Sequence, residues 1–184
     1  VRSVQGLNYS FALVNGLNSA AFENGTGIRG GRFEGSNATA SNIAFTGPLL
    51  YYYNSYRFQH SGYYGGSAGL SDTESDSLKL NSGAFGTPVA LGEANVQYEN
   101  NGFEMRALFS VVQIPDAENI NGAYANNTPE MMTGGYVEAG YNILKLFNKS
   151  TEKTLTYFIR YEYLNLNTKI PVNGIENGLN EQQY

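Results

Sequence analysis

Two alternating runs meet at Asn101-Gly102, inside the segment Leu91 to Val112. Asn-Gly is the strongest short hairpin signal, because a type I′ turn needs positive φ at both central residues. A two-residue turn there pairs Asn100 with Phe103, Glu99 with Glu104, Tyr98 with Met105 and Gln97 with Arg106. With that register set, every side chain is assigned to a face. One face carries Ala94, Val96, Tyr98, Phe103, Met105, Ala107, Phe109 and Val111. The other carries Glu93, Asn95, Gln97, Glu99, Glu104, Arg106 and Ser110, with Leu108 and Val112 among them. Each run is about ten residues, the length of a tilted strand that crosses a bilayer.

The rest of the chain repeats this pattern. Strands are expected over 6–14, 43–53, 56–66, 91–100, 103–112, 134–144 and 154–165. The first presents Leu7, Tyr9, Phe11 and Leu13 on one side. The last sets Leu155, Tyr157, Ile159, Tyr161 and Tyr163 against Thr156, Arg160 and Glu162. Pro48 interrupts 43–53, and a proline donates no ladder hydrogen bond, so a bulge or an edge position is expected there. His60 falls with the apolar set, where a partly covered interfacial histidine is the expected reading. The connections alternate: 15–42, 67–90, 113–133 and 166–184 are long, while those at 54–55 and 101–102 are short and 145–153 is of medium length. The long ones read as polar loops. Asp72, Glu74 and Asp76 have the spacing of a calcium loop but lack its glycine and closing glutamate, so a solvated acidic loop is expected. Asp116 is expected to cap a single helical turn.

Composition narrows the class. Of 184 residues only 15% are charged, while Tyr and Phe number 15 and 10 and Gly 22, which suits an all-β chain with long turns. No apolar run approaches the ~20 residues of a spanning helix. The absence of cysteine excludes a disulfide framework. A single histidine cannot form a histidine-based metal site, and a net charge of −5 argues against nucleic acid. The ends, Val-Arg-Ser and Asn-Glu-Gln-Gln-Tyr, fall outside the alternation, so a piece of a longer protein is expected.

Long and short connections in alternation, and charged strand residues confined to one face, define the expected fold. It is all-β, an antiparallel transmembrane β-barrel with about seven strands of a larger barrel present. A soluble sandwich also alternates, but its buried face is rich in Val, Leu and Ile, whereas this one is rich in Tyr and Phe. Tyrosines near strand ends (Tyr51, Tyr53, Tyr56, Tyr64, Tyr163) match an interfacial girdle.

The order of segments resembles the phosphate-selective porin O and P family of outer-membrane proteins. The resemblance is carried by Leu13-Val-Asn-Gly-Leu-Asn, Gly27-Ile-Arg-Gly-Gly-Arg, Ile43-Ala-Phe-Thr-Gly, Asn101-Gly-Phe-Glu-Met-Arg-Ala-Leu, Asp116-Ala-Glu-Asn-Ile-Asn, Gly134-Gly-Tyr-Val-Glu-Ala-Gly-Tyr and Phe158-Ile-Arg-Tyr-Glu. It implies a barrel of about sixteen strands, within the known range, commonly a homotrimer in the bacterial outer membrane. It implies passive diffusion of small hydrophilic solutes or inorganic ions, with selectivity for anions or phosphate. Phosphate-selective members carry dense basic arrays; here the expected lumen face mixes both signs, and that balance is not a basic ladder.

The expected pore lining is Arg57, Arg106 and Arg160 as a basic wall, with Glu104, Glu138 and Glu162 as acidic counterparts and Glu93 nearby. Opposed charged walls would sort solutes by charge. Arg29, Arg32 and Lys79 are expected loop contacts for anions, and Gly27 to Gly35 is the most charged glycine-rich loop. No cofactor and no catalytic set is expected; a barrel hydrolase would need a Ser-His or Asp-His pair, and His60 has no adjacent acid. The alternative is a non-channel outer-membrane barrel acting as a structural or surface-binding protein.

Overall fold

A computed structural model describes residues 5–33 and 40–174. Glu34, Gly35 and the end of the tail, 175–184, lie outside the described residues. The strands are β1 (Leu7–Tyr9), β2 (Ala12–Asn15), β3 (Ile43–Tyr53), β4 (Tyr56–Gly65), β5 (Val89–Asn100), β6 (Phe103–Gln113), β7 (Met131–Asn142) and β8 (Thr156–Lys169). They form one antiparallel sheet in the order β1-β3-β4-β5-β6-β7-β8, with β2 also on β3. The fold is thus all-β. Among the described residues the sheet is open, and no ladder joins β8 to β1 or β2.

The central hairpin shows how the sequence sets the register. Asn101 and Gly102 have φ of 51° and 85°, and β5 pairs with β6 from Asn100↔Phe103 through Gln97↔Arg106 to Ala90↔Gln113. That register propagates in both directions. Tyr51, Phe58, Val96, Ala107, Val137 and Tyr161 make one continuous row across six strands. Arg57, Gln97, Arg106, Glu138 and Arg160 make a row on the opposite face.

Pro48 behaves differently from the expectation. β3 runs through it without a bulge and is not at an edge; Pro48 pairs with Ser61 of β4. The break falls on the neighbour instead. β1 and β2 keep one register along β3 (Tyr9↔Leu49, Ala12↔Thr46), and the gap between them, Ser10-Phe11, lies opposite Pro48. Ser10 donates to the Pro48 carbonyl at 3.2 Å, but proline has no N–H to return the second bond.

Apart from the helical turn expected after Asp116, the long connections are more structured than the polar loops expected. Residues 15–42 contain two 3₁₀ turns, Ser19–Ala21 and Arg29–Gly31. Residues 67–90 contain α1 (Asp72–Leu78), and 113–133 contain α2 (Ala117–Tyr124). α3 (Leu144–Phe147) begins at the last residue of the expected strand 134–144 and runs into the medium connection. The first three long connections, 15–42, 67–90 and 113–133, share the principal buried core. Phe22, Leu80, Val89, Ile114, Ala117, Ile120 and Met132 cluster, with Leu17, Ile28, Tyr63, Val112 and Leu166 packed against them. Asparagine amides tie the connections together. Asn126 donates to the Ser19 carbonyl (3.0 Å), Asn81 to Asp116 (2.7 Å), and Asn42 to the Gly83 carbonyl (2.7 Å).

The acidic triplet sits in α1, not in a loop. Ser71 and Glu74 form a reciprocal capping box: the Glu74 carboxylate accepts from the Ser71 hydroxyl (2.7 Å) and amide (3.1 Å). Both bonds hold the Glu74 carboxyl below its ordinary value, the hydroxyl contributing most. A depressed folded pKa means the box stabilises α1 above the unfolded carboxylate pKa of about 4.3 and is lost as pH falls through the lower folded value. Carboxyl-detected NMR titration of the S71A variant is expected to return Glu74 toward the ordinary value; an unchanged titration would contradict this role for Ser71. Asp116, the expected cap of α2, occupies the N-cap position but makes no cap bond. Its carboxylate is engaged by Asn81 instead.

Candidate lumen surface and its loop cover

The two faces of the sheet have different environments. On the apolar face the large side chains stand uncovered: Tyr161 is 71% exposed, Ile159 70%, Phe109 54% and Val137 53%. A shallow cavity of about 750 Å³ on this face is lined by residues such as Phe58, Ala94, Ala107, Phe109 and Tyr161. His60 lines it too and is exposed, with no hydrogen bond or ion pair among the described residues. On the polar face Arg57, Gln59, Asn95 and Gln97 are half-buried.

Register brings Arg57, Arg106, Arg160, Glu93, Glu104, Glu138 and Glu162 onto that one face. It does not segregate them into opposed walls. Arg106 pairs with Glu104 on its own strand at 3.7 Å. Arg160 pairs with Glu138 across the ladder at 3.6 Å and with Glu162 two residues along its own strand. Its guanidinium also lies over the Tyr136 ring, 4.0 Å from the centroid. The acidic residues are therefore immediate neighbours of the arginines. The reason is the period of two: residues i and i+2 share a face, and the cross-strand partner of Arg106 is Glu138.

Arg57 is the exception. Among the described residues it makes no ion pair; it donates to Gln59 (2.7 Å) and Gln97 (3.4 Å). The carboxylate of Glu93 accepts from Asn95 at 3.0 Å. Near the short turns, Arg57, Glu99, Glu104, Lys145 and Glu152 line a polar cavity of about 720 Å³. Glu99 and Glu104 face each other there as a cross-strand pair.

At the opposite end, the loop core covers the polar face. Gly27 is buried against it, so close that a Cβ on it would lie 2.6 Å from the Met132 sulfur. Arg29 and Arg32 lie in the same cover and are exposed. Lys79 is elsewhere, at the C-terminal end of α1 in the left-handed conformation (φ 57°). Sequence reading missed the buried loop residues Phe22, Ile114 and Ile120, and the asparagines that join the loops. Their only sequence signal is isolated large apolar residues within Gly/Asn-rich stretches.

Among the described residues, no group of His, Asp and Glu is placed to hold a metal ion, and no helix is long and apolar enough to cross a membrane. No protein-family model matches the chain, and no curated protein matches it.

Proposed function

We propose that this chain is part of an outer-membrane β-barrel porin that passes small hydrophilic solutes or ions by diffusion, similar to the phosphate-selective porin O and P family. The observation that carries the reading is the inversion of its faces. A soluble sheet buries its apolar face; here that face is the uncovered one, and the packed core lies over one end of the polar face. Lipid is the medium that makes an uncovered aromatic and aliphatic band favourable. The polar face then borders water, which keeps its charges solvated.

A porin does no bond chemistry, so its function lies in the charge and width of the passage. Paired arginines and carboxylates contribute little net field. Arg57, which among the described residues bonds to neutral amides and makes no ion pair, keeps a charge that no direct partner cancels. Conductance of the full-length protein in planar bilayers, with the reversal potential read under a salt gradient, tests the proposal. Stepwise openings are expected. Arg57→Gln is expected to move the reversal potential toward cation preference by more than Arg106→Gln or Arg160→Gln does. Absence of openings from folded protein would defeat the channel reading. Equal shifts from all three substitutions would show that the ion pairs do not neutralise their arginines.

A further inference from the structure

The 3₁₀ turn Arg29–Gly31 and its flanks lie against the polar face and leave a cleft of about 550 Å³ between loop and sheet. The floor is apolar: Leu91, Val112, Met132, Leu164 and Leu166 line it. The rim is cationic: Arg29 and Arg32 line the same cleft, and both side chains also border a second hollow of about 550 Å³ on the outer side of the loop. Arg29 opens the 3₁₀ turn and Arg32 follows it as the extended C-cap residue, and both reach the same cleft. Neither arginine makes an ion pair among the described residues. Arg32 Nε donates to the Arg29 carbonyl at 3.4 Å, which leaves its terminal amino groups free to bind. Glu23 borders the outer hollow, where its carboxylate accepts from Thr26 at 3.5 Å. The hydroxyls on the sheet side are already used: Ser110 donates to the Gly134 carbonyl (3.4 Å) and Thr133 bonds to Thr168 (2.8 Å).

We propose that this cleft is a binding site for a monovalent organic anion with an apolar body, such as an aromatic carboxylate. An apolar floor with its polar neighbours satisfied offers nothing to a strongly hydrated ion, which would lose water without replacement. Two guanidiniums above that floor match a carboxylate, which they bind in a bidentate fork. A benzoate-sized ligand fills both requirements: its ring displaces water from the leucine and methionine surface, and its carboxylate meets the rim. The cavity is large enough for such a ligand, with room for bridging water.

The test reads binding and not conductance, so its outcome is independent of the channel reading. The full chain, folded in a non-ionic detergent, is titrated calorimetrically with benzoate, benzyl alcohol and inorganic phosphate. Benzoate is expected to bind saturably and at least tenfold more tightly than either comparator. The R29Q/R32Q double variant, altered at exposed positions, is expected to lose tenfold or more for benzoate. Leu164→Asn, which alters the floor and leaves the rim, is expected to weaken benzoate severalfold and leave phosphate unchanged. Phosphate binding as tight as benzoate would overturn the proposal in favour of a simple cationic patch. Benzyl alcohol binding as tight would reduce the site to an apolar hollow. Benzoate affinity indifferent to R29Q/R32Q, with circular dichroism confirming the fold, would refute the site outright.

Discussion

Replacing Phe22 by alanine is expected to lower the opening free energy of the loop cover by about 3–5 kcal/mol, the usual cost of deleting a buried phenyl ring. Phe22 is fully buried at the junction of the three long connections. Its ring lies so close to Gly31 that a Cβ there would be 2.3 Å from a ring carbon. Nothing nearby can fill the void without moving the turn that carries Arg29. Because one cluster holds all three segments, the loss should be shared. Native-state hydrogen exchange is expected to quicken together around residues 17–31, in α1 and in α2, while amides in the middle of β5 and β6 keep their protection. Loss confined to residues 17–31 would show three independent loops instead of one cover.

A charge placed on the apolar face is expected to be costly only in a bilayer. Val137 sits in the middle of β7, half-exposed, in the row from Tyr51 to Tyr161. Arginine at a lipid-facing midplane position of a barrel costs about 2–4 kcal/mol. At a water-exposed surface the same change typically stays within about 0.5 kcal/mol. Val137→Arg is therefore expected to reduce folding into lipid vesicles, measured by urea titration of full-length protein. Asn95→Arg, in the middle of β5 on the polar face and beside the Glu93 carboxylate, is expected to be tolerated. Equal tolerance of both would remove the lipid from the account of this face.

The parts of the structure that were legible in the sequence are those fixed by local chemistry. Asn101-Gly102 permits one turn, that turn permits one register, and the period of two then places Arg106, Glu138 and Arg160 on one face. The same period puts a carboxylate two residues from Arg106 and from Arg160, but it does not encode which side-chain atoms meet. Glu104 pairs with Arg106 and Glu162 with Arg160, each two residues along its own strand. Pro48 was read for its own strand, yet its missing N–H acts on the strand alongside. The loop cover was least legible, because Leu17, Phe22, Ile28, Leu80 and Ile114 follow no period. Each is buried by residues far away in sequence, and their positions depend on contacts between connections rather than on patterns within them.

The shared register of β1 and β2 along β3 makes them two halves of a single rail, so among the described residues the sheet counts seven rails from that pair to β8. Each rail runs opposite to its neighbour, and seven is odd, so the first and the last point the same way. Rolled up on itself, this sheet would have to close on a parallel seam. A second copy placed beside it in the same membrane orientation would meet the same mismatch at each junction. Only an odd number of additional rails would let an all-antiparallel cylinder close on the described ones.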